Sequence, residues 1–361
     1  MPKQHIIQPG DTWFRIARRY ETNIYALYAA NPRLSAGGPL VPGAALELPE
    51  AAGMVDDRTV PKLSAAQQGV PYGYRELEGD IARLSRLHPF LPISSIGKSV
   101  EGRDLHLLRL GSGRKNIFVN GAFHANEWIT SSVLMRYIER TAMASFAPET
   151  EEKMRTWSAV SVWFVPMVNP DGVELVHAGA YPGHPLRKRL LEWNGGFENF
   201  EQWKANVRGV DLNDQFPAYW EEERQRRSPQ GPSPRDYAGE APLSEPEAAA
   251  VAAFIESMDV SMILAFHTQG QEIYWNYRNF EPPESERIAE ELALASGCKA
   301  VRLTGSDAGL KDWFIHRFRR PGFTIELGSG TNPLPISQLP LLYSQASAVV
   351  DQAIAACIRE S

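Results

Sequence analysis

The stretch Ala159–Val165 is apolar with no regular alternation, and Met262–Phe266 and Phe323–Leu327 read as further buried strands. A strand with one face in water alternates apolar and polar residues. One that does not must be covered on both faces. Asn116–Asn120 reads as a further strand, Ser132 to Ala144 as a helix, and about Leu341 to Ile358 as a closing helix. Ser244-Glu245-Pro246-Glu247 reads as a capping box that opens an alanine-rich helix. Strands alternating with helices in this way predict an α/β domain, with helices on both faces of a mostly parallel sheet. In such sheets, sites lie at the carboxyl ends of the strands.

The 361 residues divide into a unit at 1–50, a linker at 51–70 and a large domain at 71–361. The first unit reads as βααβ. It has a strand at His5–Gln8, a turn at Pro9-Gly10-Asp11, and Thr12 placed to cap a helix carrying Trp13, Ile16, Ala17 and Tyr20. A second helix covers about Ile24 to Ala30 and is stopped by Asn31-Pro32, and a strand follows at Ala45–Pro49. The small and polar residues of 51–70 fit a linker. From Leu175 to Leu243 no periodicity emerges, and a non-repetitive region that long inside a domain is read as functional.

Composition removes some classes. With 43% hydrophobic residues the chain can bury a full core, and a net charge of -6 argues against a surface that tracks nucleic-acid phosphates. No uninterrupted apolar run approaches bilayer length, so no membrane partner is expected. The start Met1-Pro2-Lys3-Gln4-His5 lacks the basic and apolar regions of a secretory signal, so the expected starting location is the cytoplasm. Cys298 and Cys357 both lie in helix-like stretches and read as small apolar fillers, with no disulfide.

Chemistry concentrates at strand ends. His124 and Glu127 stand three apart directly after the strand that ends at Asn120, so imidazole nitrogen and carboxylate oxygen can face one cation. His267 follows the Met262–Phe266 strand. On its own it reads as a structural histidine, but two histidines and one carboxylate are also a catalytic zinc set. Glu326 lies among Phe323, Ile325 and Leu327, and a buried carboxylate is either paired or has a task. A structural ion pair and a general base both fit it.

Taken in order, Gly121–Trp128, Asn169-Pro170-Asp171-Gly172, Gly209–Asn213, Phe266-His267 and Phe323–Leu327 resemble the zinc metallocarboxypeptidase family from about Tyr72 onward. That resemblance implies a mixed eight-stranded sheet with helices on both faces, which replaces "mostly parallel". It implies one Zn2+ per chain held by His124, Glu127 and His267, with Glu326 as the base that activates water and passes the proton to the leaving amine. It also implies an oxyanion-stabilising cation after a tryptophan, here Lys204 or alternatively Arg208. The first unit, through Pro9-Gly10-Asp11-Thr12, Tyr25-Ala26-Leu27, Asn31-Pro32 and Leu46–Pro49, resembles a LysM domain. LysM domains bind N-acetylglucosamine-containing glycans, so peptidoglycan or muropeptides are the expected partner.

Two departures bear on substrate. Exopeptidase members follow Asp-x with Asn-Arg to hold a terminal carboxylate. Here Asn213 is kept but Asp214 replaces the arginine. The stretch from Arg302 to Trp313 offers no tyrosine, and Lys311 stands where side-chain specificity is set. Asp214 with Lys311 suits a residue presenting an amine and a carboxylate together. With the LysM unit this resembles peptidases of spore-forming bacteria that cut between γ-D-glutamate and meso-diaminopimelate. The competing readings are a zinc carboxypeptidase for ordinary peptides and an inactive wall- or spore-coat-binding protein.

Overall fold

The structure is a computed structural model, and it describes residues 4–9, 11, 16, 19–20, 30–31, 40–48, 63–88, 91–145 and 151–360. In the first unit β1 (Gln4–Ile6) and β2 (Ala45–Glu47) pair antiparallel, His5 opposite Leu46. Ile7, Ile16, Leu46 and Leu48 form a small core. Buried His5 is fixed from both sides, by the Asp11 carboxylate at 2.6 Å and the Tyr20 hydroxyl at 3.0 Å. Asn31 is bonded in both directions to the backbone of Glu47. Thr12 and residues 24–29 of the expected second helix lie outside the described residues.

The large domain begins earlier than the composition suggests. Helix α1 (Ala65–Gln68) is capped by Ser64, and its first backbone N–H groups donate to the Asp80 carboxylate on α2 (Tyr74–Leu87). Ser64 also donates to Glu139 at 2.5 Å. Residues 63–70, expected as linker, are therefore anchored to the domain; their small side chains let the chain pack closely.

Eight strands form one mixed sheet. In chain order they are β3 (Ile93–Lys98), β4 (Asp104–Gly111), β5 (Lys115–Asn120), β6 (Val160–Val165), β7 (Val260–Thr268), β8 (Glu272–Tyr274), β9 (Lys299–Val301) and β10 (Gly322–Leu327). In space the order is β3-β4-β6-β5-β7-β10-β8-β9. The central strands β6, β5, β7 and β10 run parallel to one another, and antiparallel pairs join β3 to β4, β4 to β6 and β8 to β10. The three stretches read as buried, now β6, β7 and β10, are all interior strands, as the unbroken apolar runs of β6 and β7 require, while β10 alternates and leaves Thr324 and Glu326 only partly buried.

Strands β5 and β7 feed two cores, and β10 feeds one of them. Ile117 and Val119 of β5, Met262, Leu264 and Phe266 of β7, and Phe323, Ile325 and Leu327 of β10 pack on one side. They meet α2, α3 (Ile129–Ser145), α9 (Glu284–Ser296) and α11 (Leu339–Arg359). Phe118, Ile263 and Ala265 face the other side, against α8 (Pro246–Ser257) and α10 (Leu310–Phe318). Burying a side chain such as Phe118 is worth roughly 1.5–3 kcal/mol, so the sheet centre is where a cavity would cost most. Helix α11 is long and apolar enough by length and composition to cross a membrane. Leu342, Ala346, Val349, Val350 and Ala353 on it are fully buried against the sheet layer.

Three local expectations change. Helix α8 has Glu245 at its N-cap with no side-chain cap bond; Pro246, with φ pre-set for the first turn, starts it, while Ser244 bonds Gln215 and the Glu245 carboxylate. Helix α3 starts at Ile129 because the turn Ala125–Glu127 runs straight into it. Cys298 lies between α9 and β9, after the Gly297 cap; Cys357 is on α11, and both are buried free thiols. The region after Leu175 completes α5 (Pro170–Ala178), then carries α6 (Arg187–Trp193), α4 having preceded β6 at Glu151–Ala159, and α7 (Trp220–Arg226).

Candidate metal centre and active site

The chain reverses direction across β5: it crosses to β6 on one side, then returns to β7 on the other. A crevice opens at the carboxyl ends of strands at such a point, and β5 delivers His124 into it. The loop after Asn120 is held by several long-range bonds. Ala122 has a left-handed φ of 46°, and its N–H donates to Thr130 Oγ1. Ala125 N–H donates to the Lys204 carbonyl. Asn169 caps α5 and donates to the Phe123 and Ala205 carbonyls, so the Asn-Pro-Asp-Gly segment staples the loop to the residues after Trp203. Gly172 is required there, because a Cβ would stand 2.5 Å from the Ala205 carbonyl oxygen.

His124, Glu127 and His267 are buried together, their ligand atoms all within 4.8 Å of one another. His124 Nδ1 lies 2.9 Å from Glu127 Oε1, and His267 Nδ1 lies 2.9 Å from Glu127 Oε2. The two Nδ1 atoms are 3.1 Å apart. Two imidazole nitrogens and a carboxylate converging on one point are a donor set for zinc, with a position left for substrate or water. The outer partners agree. His124 Nε2 is 3.3 Å from Asp211 Oδ1, an arrangement that turns Nδ1 toward a metal. Asn332 donates to Glu127 Oε1 at 3.3 Å and to the Thr268 carbonyl at 2.7 Å.

Glu326 is directly opposite His267 in the parallel β7–β10 ladder and opposite Glu272 across β8. It is half-buried. Burial pushes its carboxyl up to about 8; His267 pulls it down, and Glu127 and Glu272 push it further up. Burial also raises Glu127, but His124 and His267 outweigh it and hold that carboxyl at about 2.

A second set of charges comes from the long connection. Lys204 Nζ lies 3.0 Å from Asp211 Oδ2. Burial pushes the Asp211 carboxyl up, yet Lys204 and His124 outweigh it and hold the group well below the usual carboxylate range. Asp214 is buried but not bare: Arg227 donates to its Oδ1 at 2.8 Å. The expectation of an isolated anion at this position fails because α7 carries an arginine into it. Burial, with Asp211 beside it, still pushes Asp214 up to about 7 against the pull of Arg227 and Lys204.

The other expected residues fall differently. Asn213 is half-buried beside α10, where its Oδ1 accepts weakly from Leu310 N–H at 3.4 Å. Arg208 is half-exposed and pairs with Glu245 at 3.5 Å, so of the two expected oxyanion cations only Lys204 stands beside the metal ligands. Lys311 is buried, donating to the Asn276 carbonyl and to Asp312 with its ammonium over the Tyr277 ring. Two hydrogen bonds and the ring contact hold it within the protein. An anion in the pocket would have to displace one of these contacts. Asp211, Arg227, Asp236 and Asn332 were not assigned roles from sequence. Glu223 with Arg227 is a visible i,i+4 pair, but nothing local shows that it reaches Asp214.

A fold with a mixed eight-stranded sheet, a His–Glu–His zinc site at its central strand ends and a carboxylate opposite one ligand defines a zinc metallopeptidase. The family model for zinc carboxypeptidases matches residues 78–346, and the chain belongs to that family. A LysM domain model matches residues 5–49. Among its relatives is the gamma-D-glutamyl-L-diamino acid endopeptidase 1 of Lysinibacillus sphaericus, 46% identical over 76% of this chain and 70% of that protein. The uncharacterized protein YqgT of Bacillus subtilis is 40% identical over 78% and 77%. In fold, the domain is similar to thrombin activatable fibrinolysis inhibitor, with a TM-score of 0.68 and 19% identity over 85% of this chain and 79% of that one.

Proposed function

We propose that the chain hydrolyses the bond between γ-D-glutamate and meso-diaminopimelate in bacterial wall peptides, with its LysM domain binding the wall glycan. The observation that carries the hydrolytic part is Glu326 set opposite His267, at the edge of the His124–Glu127–His267 set. The substrate class rests on similarity to the gamma-D-glutamyl-L-diamino acid endopeptidase 1 of Lysinibacillus sphaericus.

His124, Glu127 and His267 would hold the zinc. When bound, zinc supplies Lewis acidity, polarising a carbonyl and acidifying water. Glu326 is the carboxylate positioned to take a proton from the attacking water and return it to the leaving nitrogen. Its raised affinity for that proton suits a base working near neutrality. Lys204, anchored by Asp211, brings a fixed positive charge to the oxyanion side.

The test is hydrolysis of L-Ala-γ-D-Glu-meso-diaminopimelate by wild type and Glu326→Gln, with and without a chelator. We expect diaminopimelate release that a chelator abolishes and that falls about 10²- to 10⁴-fold in the variant. Turnover of ordinary C-terminal peptides with none of the tripeptide would remove the wall-peptide assignment and keep the zinc peptidase.

A further inference from the structure

Lys204 and Arg227 come from different segments, one before the Asp211 turn and one at the end of α7, yet both point at one atom. Lys204 Nζ is 3.8 Å and Arg227 Nη1 is 3.7 Å from Asp236 Oδ1. Each is backed by buried acids: Asp211 behind Lys204, and Asp214 with Glu223 behind Arg227. Those acids fix where the cations sit and leave donor capacity over. Lys204 has three N–H groups and one partner at 3.0 Å. Arg227 uses Nη2 on Asp214 and Nε toward Glu223, and its Nη1 has no hydrogen bond among the described residues. The distances to Asp236 are too long for hydrogen bonds. Asp236 itself is one-third exposed, and its other oxygen lies 3.6 Å from Arg235. Its N–H donates to Asp211 at 3.3 Å with a left-handed φ of 63°, so the backbone is pinned while the carboxylate is held loosely.

We propose that Lys204 and Arg227 form a carboxylate-binding notch beside the metal centre, that Arg227 is its specificity-determining residue, and that Asp236 occupies the notch until substrate arrives. The inference rests on the wall-peptide reading for its ligand. A γ-linked glutamate keeps a free α-carboxylate on the acyl side of the scissile bond, and a diamino acid brings carboxylates on the amine side. Either supplies the two oxygens that a guanidinium and an ammonium can hold together. The acids behind Arg227 are positioning residues: they aim the guanidinium and do not touch substrate.

The experiment compares kcat and KM of the zinc-loaded full chain for three tripeptides: unmodified, with the glutamate α-carboxyl amidated, and with the diaminopimelate carboxyls amidated. Arg227→Gln should raise KM for the unmodified peptide by about 10- to 100-fold, the worth of hydrogen bonds to a charged group. It should leave KM nearly unchanged for the one amidated peptide that lacks the bound carboxylate, which identifies the side. Arg227→Lys should recover part of the loss, and Asp236→Asn should lower KM. Equal loss on all three peptides would overturn the notch. Should the tripeptide not be cut while ordinary peptides are, the wall-peptide reading fails; the same comparison on a peptide and its C-terminal amide then tests the notch. Should nothing be cut, equal calorimetric binding of the intact tripeptide, which carries both kinds of carboxylate, by wild type and Arg227→Gln overturns it, and weaker binding by the variant supports it.

Discussion

The two walls of the active site are built by different means. One wall is strand ends: His124 follows β5, His267 ends β7 and Glu326 lies in β10, adjacent strands of one ladder. The other wall is the connection between α5 and α8, where Lys204, Asp211, Asp214, Arg227 and Asp236 meet through ion pairs spanning up to about thirty residues of chain. Backbone register fixes the first wall. Mutual charge compensation fixes the second, so removing one member there leaves others buried and unpaired. The first wall suits chemistry that must not vary, and the second suits recognition.

The sharpest break of this comparison is His267→Ala. It removes a ligand while its strand stays paired, so zinc should fall from one per chain to near none and hydrolysis to background, with the fold retained by circular dichroism. A variant keeping both zinc and turnover would show that the strand-end wall is not the metal site.

Asp211→Asn probes the join between the walls, since Asp211 touches His124 on one and Lys204 on the other. Zinc affinity, read by competition with a chelator, should fall about 10- to 100-fold. Unchanged affinity would mean that the strand wall holds its metal without help from the connection.

The break furthest from the chemistry lies in the anchoring of the connection. Glu247 on α8 is fully buried, accepts from Val100 N–H at 3.1 Å and lies 3.5 Å from Asn206 Nδ2. Burial raises its carboxyl to about 7, with Asp171 and Glu245 adding, against the pull of backbone hydrogen bonds. The folded protein therefore binds this proton more tightly than the unfolded chain. The contribution is fully present below about pH 4.5, declines as pH rises and is gone above about 7. Glu247→Gln should flatten that decline and be more stable than wild type at pH 8 by about 2–3 kcal/mol. Denaturant titrations at pH 5, 6, 7 and 8 check it, and parallel slopes for both proteins would count against the assignment.

The same division explains what was readable in the chain. Apolar runs without alternation, as in β6 and β7, require cover on both faces, so the layers followed from local pattern, while His124, Glu127, His267 and Glu326 followed from motif order, the last in a strand that alternates. The connection has no periodicity because side-chain ion pairs hold it. Lys204 was reachable through the tryptophan before it. Arg227 was not, since its partner Asp214 is thirteen residues away with a turn and a helix between. The same blindness made Asp214 look like a bare anion and Lys311 a free cation.

The direct opposition of Glu326 and His267 has one more consequence. Hydrogen-bonded strands run about 4.8 Å apart, and a rung of that ladder cannot stretch without breaking its neighbours. Proton-transfer group and ligand are therefore gauged by the sheet itself, like two marks on one ruler. The connection beyond Lys204 and Asp211 can be recharged or exchanged and the gauge will not move. Altered substrate choice in this scaffold should be reachable by rewriting residues 212–236 with Lys204 and Asp211 kept in place.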